Sequence, residues 1–518
     1  LKGLGAPSDV SSCVIDAAAG KTVEATGCQI SDISATDSNV SFTRLDEGLP
    51  YNNGVFAALM YRFVPMNELN RYWLTVRNLK PGRYKLTVSG REVGTWHAGQ
   101  LATGLNIAST TPDAWQPGGP WDAQAGVLKS LTDARYEADL ALLHAKAWLP
   151  DRPMLTELTE QSAHANEELE KMQRFVARPR PYRFVLTREA DETTIVSPQE
   201  YQVFQRRTRA AGPIIIRGTT TRDVDQVHVR FRGQPLKGEL PGAWQTVAFE
   251  KNDGTFQKSM DLPAGGWFAM DLKLTKDGRT VQEQTVERFG VGEVFVGAGQ
   301  SNSTNSGQFK TKQTSGMVAS FSGEQWQIAD DPQPGVADRS QGGSYYPAFG
   351  DAMYDLYKVP IGIAATGYGG TSVNAWQPND EGLFRWMMTR IGQLGPQGFR
   401  AVLWHQGESD VAMSSDEYYE KLKRVIATSR DEAGWNIPWF VAQVSYHNPD
   451  NPSYATTREA QARLWAEDVA FEGPDTDTLT GDHRDFDSQG IHFSPKGLKA
   501  HGLMWVEKVK PFIDQAIQ

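Results

Sequence analysis

Hydrophobic residues between positions 289 and 518 occur in short, nearly continuous runs separated by longer segments of mixed polarity. The runs are EVFVGAG, VPIGIAATG, FRAVLWHQG and IPWFVAQV, and helix-length segments such as SDEYYEKLKRVIATSRDEAGW lie between them. Apolar strands that alternate with helices are typical of a parallel sheet covered on both faces. The pattern therefore predicts an α/β domain over residues 289–518.

Residues 191–288 carry short β-branched runs separated by Gly, Pro and Asp-Gly turns. GPIIIRG, VHVRFRG and WFAMDLKLTKDGRTVQEQTVERF are the clearest of them. Their spacing predicts a small antiparallel β-sandwich of the jelly-roll or immunoglobulin kind. Such a domain binds sugar or braces its neighbour, and the sequence favours neither role.

Residues 1–190 show a mixed pattern that predicts an α+β accessory region. Arg71–Gly90 alternates apolar and polar residues on both sides of Pro81-Gly82, which predicts a β-hairpin. Asp133–Trp148 and Thr156–Val176 have charged faces around an apolar stripe, which predicts two helices.

Length, charge and hydrophobicity argue against two classes of protein, those that bind nucleic acid and those that span a membrane. The chain has 518 residues, enough for several domains, and a formal net charge of -10. The negative charge argues against nucleic-acid binding, because phosphate contacts require clustered Lys and Arg. No apolar run reaches the ~18 residues that a membrane-spanning helix needs. The 15 tryptophans are compatible with sugar-stacking surfaces.

Two cysteines, Cys13 and Cys28, lie close together in the sequence. A single pair predicts one disulfide closing a short loop, and the alternative is two unrelated free thiols. A disulfide implies an oxidising compartment, so we expect a periplasmic or secreted protein. The chain begins at Leu1 rather than Met, as expected of a processed exported protein.

Small polar residues follow three of the predicted parallel strands. Ser301 follows the first, Gly370 the second and Gln406 the third. Because ligands of parallel sheets bind at the carboxyl ends of the strands, these residues are expected to lie close together. His492 lies near the C-terminus, in a loop that can return to the same edge.

Together these residues fit acyl transfer, most simply the hydrolysis of an ester. A serine nucleophile such as Ser301 needs a base within hydrogen-bond reach, and His492 is the candidate. The oxyanion needs donors, and the Ser301 N–H and the Gln406 amide are two. The N–H of Gly370 or Gly369 is a third. This chemistry needs no cofactor, and the sequence shows neither zincin-type His spacing nor a phosphate loop.

Four segments carry a family resemblance: GQSN, GYGGTSVNAW, WHQGESD and GIHFSPKGL. They resemble, in order, the sequence blocks of SGNH-superfamily carbohydrate O-acetylesterases, in the branch that contains sialate O-acetylesterases and acetylxylan esterases. The resemblance implies an SGNH, flavodoxin-like, three-layer α/β/α domain. It also implies Ser301 as nucleophile, His492 as base, and Gly370 and Gln406 in the oxyanion hole.

The upstream region extends the resemblance. Residues 191–288 resemble the β-domain that precedes the catalytic domain in sialate-type esterases. RLDEGLPYNN and LTVRNLKPGRYKLTVSG resemble a region found in bacterial lipase-like relatives. The combination is similar to the xyloglucan acetylesterases of plant-associated bacteria. It implies an acetylated polysaccharide or oligosaccharide as the partner, with sialate or xylan O-acetyl groups as alternative substrates.

One position departs from the family pattern. The family has Asp three residues before the histidine, and here that residue is Gln489. Asp487 or Asp485 substitutes for it if the loop is bent, and we name Asp487 as the catalytic candidate. A backbone carbonyl, or Gln489 itself, is the other possible support. The departure also leaves open a non-catalytic carbohydrate-binding protein.

Three further residues lie next to the motifs, and two of them, both tryptophans, have two interpretations. Trp376 and Trp404 either face a sugar ring or pack in the core, and core packing is the commoner fate of tryptophan. Glu408 is expected to hold its loop through hydrogen bonds.

Overall fold

A computed structural model of the chain describes residues 8–51, 70–110 and 118–518. The chain divides into two compact units. Unit 1 contains the described part of residues 1–194 together with 219–224 and 249–255, and unit 2 contains 195–218, 225–248 and 256–518.

Unit 1 contains two β-sheets that share one hydrophobic core. The strand orders are β2-β1-β5-β8 and β3-β4-β9-β6-β7. Most strands alternate buried and half-exposed residues, as expected when only one face of a sheet is packed. The strands are β1 (Asp9–Asp16), β2 (Lys21–Thr26), β3 (Cys28–Ala35), β4 (Asn39–Asp46), β5 (Arg71–Arg77), β6 (Arg83–Val88), β7 (Arg91–His97), β8 (Leu105–Asn106) and β9 (Pro181–Arg188).

The hairpin predicted over Arg71–Gly90 is wrong, although both of its strands exist. β5 pairs with β1 and β8, whereas β6 pairs with β7 and β9 in the other sheet. The hairpin is instead β6–β7. Its turn contains Ser89 and Gly90 at φ of 49° and 85°, and consecutive left-handed residues suit the twist of a tight hairpin.

Unit 1 contains a short helix, α1 (Ala98–Thr103), and the two predicted helices. The predicted helices are α2 (Pro120–Trp148) and α3 (Arg152–Val176). Pro120 occupies the first turn of α2, where its missing N–H costs nothing, and Asp151 caps α3 by accepting from the Met154 N–H at 3.1 Å.

The disulfide predicted between Cys13 and Cys28 is absent. Both residues are free thiols, and both are buried. Each sulfur has a polar partner of its own. Arg44 Nη1 donates to Cys13 Sγ at 3.4 Å, and Cys28 Sγ donates to the Ser12 carbonyl at 3.3 Å. A hydrogen bond with Cys28, followed by burial, raises the pKa of the Cys13 thiol well above its ordinary value.

Unit 2 is built on one continuous sheet. Its β-rich first part contains β10 (Thr193–Ser197), β11 (Gln202–Gln205), β12 (Ala211–Thr220), β13 (Gln226–Arg232), β14 (Gln245–Glu250), β15 (Thr255–Pro263), β16 (Gly265–Lys276) and β17 (Arg279–Gly299). The early part of β17 pairs antiparallel with β16, and its later part pairs in parallel with two downstream strands. The boundary predicted at residues 288/289 therefore falls inside a strand.

The α/β region follows β17 and confirms the mixed α/β class. Its elements are β18 (Val318–Phe321), β19 (Trp326–Ile328), α4 (Tyr346–Tyr357), β20 (Ile361–Ala365), α5 (Gly382–Leu394), β21 (Ala401–His405), α6 (Ser415–Ala433), β22 (Trp439–Gln443), α7 (Ala455–Ala466), β23 (Phe471–Asp475) and α8 (Pro495–Ala516). The parallel order is β18-β20-β17-β21-β22-β23. Leaving aside β18, which lies between β20 and the antiparallel strand β19, this is the flavodoxin-like order 2-1-3-4-5.

Alternate residues of β17 enter different hydrophobic clusters. Val296 and Ala298 pack with residues of α5, α6 and α7, whereas Phe295 packs with residues of α4 and α8. This alternation buries the strand on both sides and explains its nearly continuous apolar sequence. None of the helices in the described ranges has the length and hydropathy that crossing a membrane requires.

Candidate active site

Ser301 lies just beyond the carboxyl end of β17, between β20 and β21. Gly299, at φ 124°, allows the chain to turn, and a Cβ there would lie 2.1 Å from the His405 carbonyl oxygen. The Gln300 N–H donates to that same carbonyl at 2.9 Å. Only glycine fits at position 299, and its turn places Ser301 where the strand order reverses, the usual ligand position in such sheets.

A 3₁₀ turn over Ser301–Ser303 orients the serine. The Thr304 N–H donates to the Ser301 carbonyl at 3.0 Å, and the Ser303 N–H donates to the Gln300 carbonyl at 2.8 Å. The Ser301 N–H begins the turn, and no acceptor for it is present in the described part of the chain. That N–H is therefore free to donate to a ligand.

Asn302 joins the nucleophile turn to the histidine loop. Its Nδ2 donates to the Ile491 carbonyl at 3.3 Å, directly before His492, and to Glu408 Oε1 at 3.0 Å. Asn302 thereby holds the loops after β17, β21 and β23 together. Within the described residues, His492 contacts Asp485, and no hydrogen bond joins it to Ser301.

Asp485, and not Asp487, lies against His492. The Asp485 carboxylate is 3.7 Å from His492 Nδ1, its other oxygen accepts from the His492 N–H at 3.2 Å, and the Asp485 N–H donates to the His492 carbonyl at 3.0 Å. Asp485 is buried, whereas His492 remains partly exposed. A buried carboxylate at Nδ1 can orient the ring and stabilise its cation.

The backbone of the intervening loop explains this correction. Phe486, Asp487 and Ser488 all have left-handed φ values, between 45° and 74°. The loop therefore bulges, and the side chain of Asp487 is exposed, as is that of Gln489. The bulge brings Asp485 beside His492 across seven sequence positions.

Arg484 is a residue of the site that the sequence did not single out. Its buried guanidinium donates to the carbonyls of Ile491 at 2.8 Å, Thr476 at 2.8 Å and Leu479 at 2.6 Å. The Ile491 carbonyl thus accepts from both Arg484 and Asn302. Burial lowers the pKa of Arg484 to about 10. A positive charge next to the predicted His loop was the only signal available in the sequence.

Glu408 holds the loop after β21, as expected. Besides its bond from Asn302, its backbone carbonyl lies 2.6 Å from His447 Nε2. Burial raises the pKa of Glu408 to about 7. Its Oε2 has no partner in the described structure, and His405 Nδ1 lies 3.7 Å from its Oε1.

Gln406 is buried, and its amide group is engaged within the protein. Nε2 donates to Asp410 Oδ2 at 2.6 Å and to the Thr371 carbonyl at 3.0 Å, and Oε1 accepts from Tyr418 Oη at 2.9 Å. Donation to an oxyanion would require the loss of one of these bonds. Gln406 therefore supports the loop that carries Gly370.

The two glycines differ in their surroundings. A Cβ on Gly369 would lie 3.6 Å from Ser301 Cβ, and the Gly369 N–H donates to Asp338 Oδ2 at 2.7 Å. Gly370 is exposed at φ 70°, and within the described residues its N–H has no acceptor. Of the two, Gly370 has the N–H available to a substrate. Asp338 was not predicted, because it reaches the site from a long loop between β19 and α4.

The tryptophans beside the motifs belong to the core. Trp376 and Trp404 are completely buried, and their rings meet edge to face with centroids 5.1 Å apart. Neither can stack on a sugar. Tyr368, which directly precedes Gly369, is 41% exposed, and Phe486, which directly follows Asp485, is 73% exposed. No group of three or more His, Cys, Asp or Glu suited to a metal ion occurs in the described residues.

Comparison with known families identifies part of the chain. Residues 291–510 match the family described as carbohydrate esterase, sialic acid-specific acetylesterase. No curated protein sequence matches the chain significantly. Ser301 and His492 both lie within the region that resembles this family.

Solved structures are similar over parts of the chain. A gut microbial diltiazem-metabolizing enzyme is 25% identical over 36% of this chain, with a TM-score of 0.32, and the chain spans about half (52%) of that enzyme. A carbohydrate acetylesterase from Xanthomonas citri is 19% identical over 62% of this chain and 74% of its own, with a TM-score of 0.42. The esterase EstA from Pseudoalteromonas sp. is 12% identical over 43% of this chain and 99% of its own, with a TM-score of 0.29.

Proposed function

We propose that this protein is a serine esterase that removes O-acetyl groups from a plant cell-wall polysaccharide, xyloglucan being the first candidate. The observation that supports it best is the bond from Asn302 to the Ile491 carbonyl. It ties the turn that carries Ser301 to the loop that carries His492 and Asp485. A nucleophile, a base and an orienting carboxylate are thereby gathered at one edge of the sheet.

The proposed mechanism uses only groups of this chain. Ser301 Oγ attacks the acetyl carbonyl carbon while His492 Nε2 takes its proton, and Asp485 stabilises the imidazolium at Nδ1. The oxyanion accepts from the N–H groups of Ser301 and Gly370. The protonated His492 then donates to the leaving sugar oxygen. Water, deprotonated by His492, hydrolyses the acetyl-serine and releases acetate.

The sugar is assigned by sequence resemblance. The four motifs, together with the upstream regions, are similar to xyloglucan acetylesterases. Tyr368 is exposed, and its N–H donates to the carbonyl of Gly299, two residues before Ser301, so its ring is a candidate for stacking on a pyranose. A polysaccharide substrate also implies action in the periplasm or outside the cell.

A second candidate function is the deacetylation of O-acetylated sialic acid. The family that residues 291–510 match is described as specific for sialic acid. The chemistry is the same, and only the sugar-facing residues would differ. O-acetylated xylan is a third substrate for the same machinery.

Acetate release from acetylated xyloglucan, xylan and O-acetylated sialic acid, measured side by side, tests the proposal. We expect the highest kcat/KM on xyloglucan. A preference for sialic acid would reject the sugar assignment and keep the esterase.

The non-catalytic alternative needs a separate variant. If the protein only binds carbohydrate, Ser301→Ala leaves any turnover of p-nitrophenyl acetate unchanged. Loss of turnover together with retained polysaccharide binding excludes that alternative.

A further inference from the structure

The helices α2 and α3 form a hairpin that packs mainly on itself. α2 has 29 residues and is about 43 Å long at 1.5 Å per residue. Its side facing α3 carries half-buried residues at alternating spacings of three and four, including Leu128, Leu131 and Leu142. Arg135, on that side, donates to Gln173 of α3 at 2.7 Å. This side is therefore the seam of the hairpin.

A second apolar line lies on the other side of α2. Tyr136, Leu140, Leu143 and Ala147 are spaced i, i+4, i+7 and i+11, and we call them the apolar stripe. At 3.6 residues per turn, the apolar stripe is about 140° away from the seam. Tyr136 is 67% exposed and Leu143 61% exposed.

Single exposed apolar residues are common on protein surfaces, but a continuous helical line of them is the pattern of a packed face. In the described structure nothing covers the apolar stripe. The acidic residues Asp133, Glu137 and Asp139 lie around it, and the chain carries a net charge of -10. Helices that bind membrane surfaces have Lys and Arg in these positions, so a lipid surface does not fit.

We propose that the apolar stripe is a dimerisation surface that pairs antiparallel with the same stripe of a second copy of this chain. The two-fold axis passes between Leu140 and Leu143. Each Leu140 then faces Leu143 of the second copy, and each Tyr136 faces Ala147. The large side chain meets the small one, so a single register fills the interface evenly.

The charges beside the apolar stripe fit the same arrangement. Asp139 and Lys146 lie on one flank, and Glu137 and His144 lie on the other. A two-fold rotation reverses the helix and keeps each flank on its own side, which brings Asp139 near Lys146 of the second copy. A parallel pairing would instead place Asp139 near Glu137 of the second copy and repel.

The oligomeric state of the full chain, followed by sedimentation velocity and light scattering across a concentration series, tests the proposal. Wild type is expected to dimerise. Leu140→Glu combined with Leu143→Glu is expected to weaken the dimer roughly 100-fold or more, because each copy loses two buried leucines. The matched control is Ala134→Glu, an exposed position of the same helix away from the apolar stripe, and it should leave the dimer intact. Both variants should keep wild-type circular dichroism and turnover of a small acetyl ester.

Charge exchange tests the direction of pairing. Asp139→Lys should weaken the dimer, and adding Lys146→Asp should restore it, although Asp139 also accepts from Asn166 within its own chain at 2.7 Å. Only the contact between copies predicts this rescue. A mixture of Leu140→Cys and Leu143→Cys chains should form a disulfide-linked dimer faster than either variant alone.

Several results would overturn the proposal. The first is a wild-type monomer at every concentration, and the second is a dimer that survives both glutamate substitutions. The third is faster disulfide cross-linking of Leu140→Cys chains with one another than with Leu143→Cys chains. Loss of binding to anionic vesicles in the double glutamate variant, with a monomeric wild type, would assign the surface to lipid instead.

Discussion

At the scale of single residues, one backbone carbonyl connects the turn that carries Ser301 to the loop that carries His492. One carbonyl, that of Ile491, accepts from Asn302 beside Ser301 and from Arg484 beside Asp485. The position of His492 is thus set from both sides by neutral and charged donors that are buried.

The sequence names Ser301 and His492 as candidates because their motifs are local, and the structure places the loops that carry them at one edge of the sheet. Asp485 could not be chosen over Asp487, because the choice depends on the left-handed conformation of three consecutive residues, Phe486 to Ser488. From the sequence we named Asp487, with Asp485 as the alternative, because left-handed conformations of non-glycine residues have only a weak sequence signal.

Asp485→Asn is expected to lower kcat roughly 10²–10⁴-fold, because an amide cannot stabilise the imidazolium of His492. The matched control is Asp487→Asn. It has the same chemistry on an exposed residue at φ 53°, a conformation that Asn tolerates well, and should keep wild-type kcat. Steady-state kinetics of acetyl ester hydrolysis measures both. Equal losses, or a loss confined to Asp487→Asn, would contradict the assignment.

Glu408 makes stability depend on pH. Burial raises its pKa from 4.5 to about 7. Between those values the folded state binds more protons than the unfolded chain, so the free energy of unfolding falls as pH rises through this window. Glu408→Gln keeps an acceptor for Asn302 and removes the titration. We expect it to match wild type below pH 4.5 and to be more stable by about 3 kcal/mol above pH 7. Urea denaturation over a pH series measures this, and parallel pH profiles would contradict it.

At the scale of elements, β11 is attached to the parallel sheet by a buried ionic cluster. Glu293 of β17 is fully buried and accepts from Arg206 Nε at 2.7 Å and from Arg400 Nε at 2.7 Å. Gln205 Nε2 donates to Glu293 Oε2 at 2.9 Å. The cluster lies at the opposite end of the parallel strands from Ser301, so its role is to hold strands rather than to touch a substrate.

Glu293→Gln is expected to destabilise the protein by about 3–5 kcal/mol, because it leaves two buried guanidinium groups without their counter-charge. The same substitution at Glu432, whose ion pair with Arg385 is partly exposed to solvent, should cost less than about 1 kcal/mol. Denaturant midpoints measure both. A loss below that of Glu432→Gln would show that the cluster contributes little.

Strands and helices were predictable as elements, because each has its own hydrophobic period. Their partners were not. The alternating residues on both sides of Pro81-Gly82 predict a hairpin, yet β5 and β6 belong to different sheets. The pairing of a strand depends on residues that are distant in sequence. In the same way β17 contains both the last run of the predicted sandwich and the first parallel strand.

At the scale of the whole molecule, the continuity of β17 decides where the chain can be cut. A fragment of residues 195–518 retains β11 and β16 beside β17. A fragment of residues 289–518 loses both strands and leaves Glu293 without Arg206.

We therefore expect the fragment 195–518 to be soluble and to hydrolyse a small acetyl ester, and the fragment 289–518 to aggregate or remain unfolded. Circular dichroism and ester turnover of the two purified fragments provide the measurement. Equal folding and activity of both would show that the α/β region is independent of the β-rich strands before it.

In the proposed mechanism, Ser301 carries the acetyl group during turnover. Mixing the enzyme with an activated acetyl ester, quenching in acid within one turnover and mapping the peptides by mass spectrometry tests it directly. We expect an acetyl adduct on Ser301 that is absent from Ser301→Ala, which should also lose roughly 10³-fold or more in kcat. An adduct on another residue, or undiminished turnover by Ser301→Ala, would contradict it.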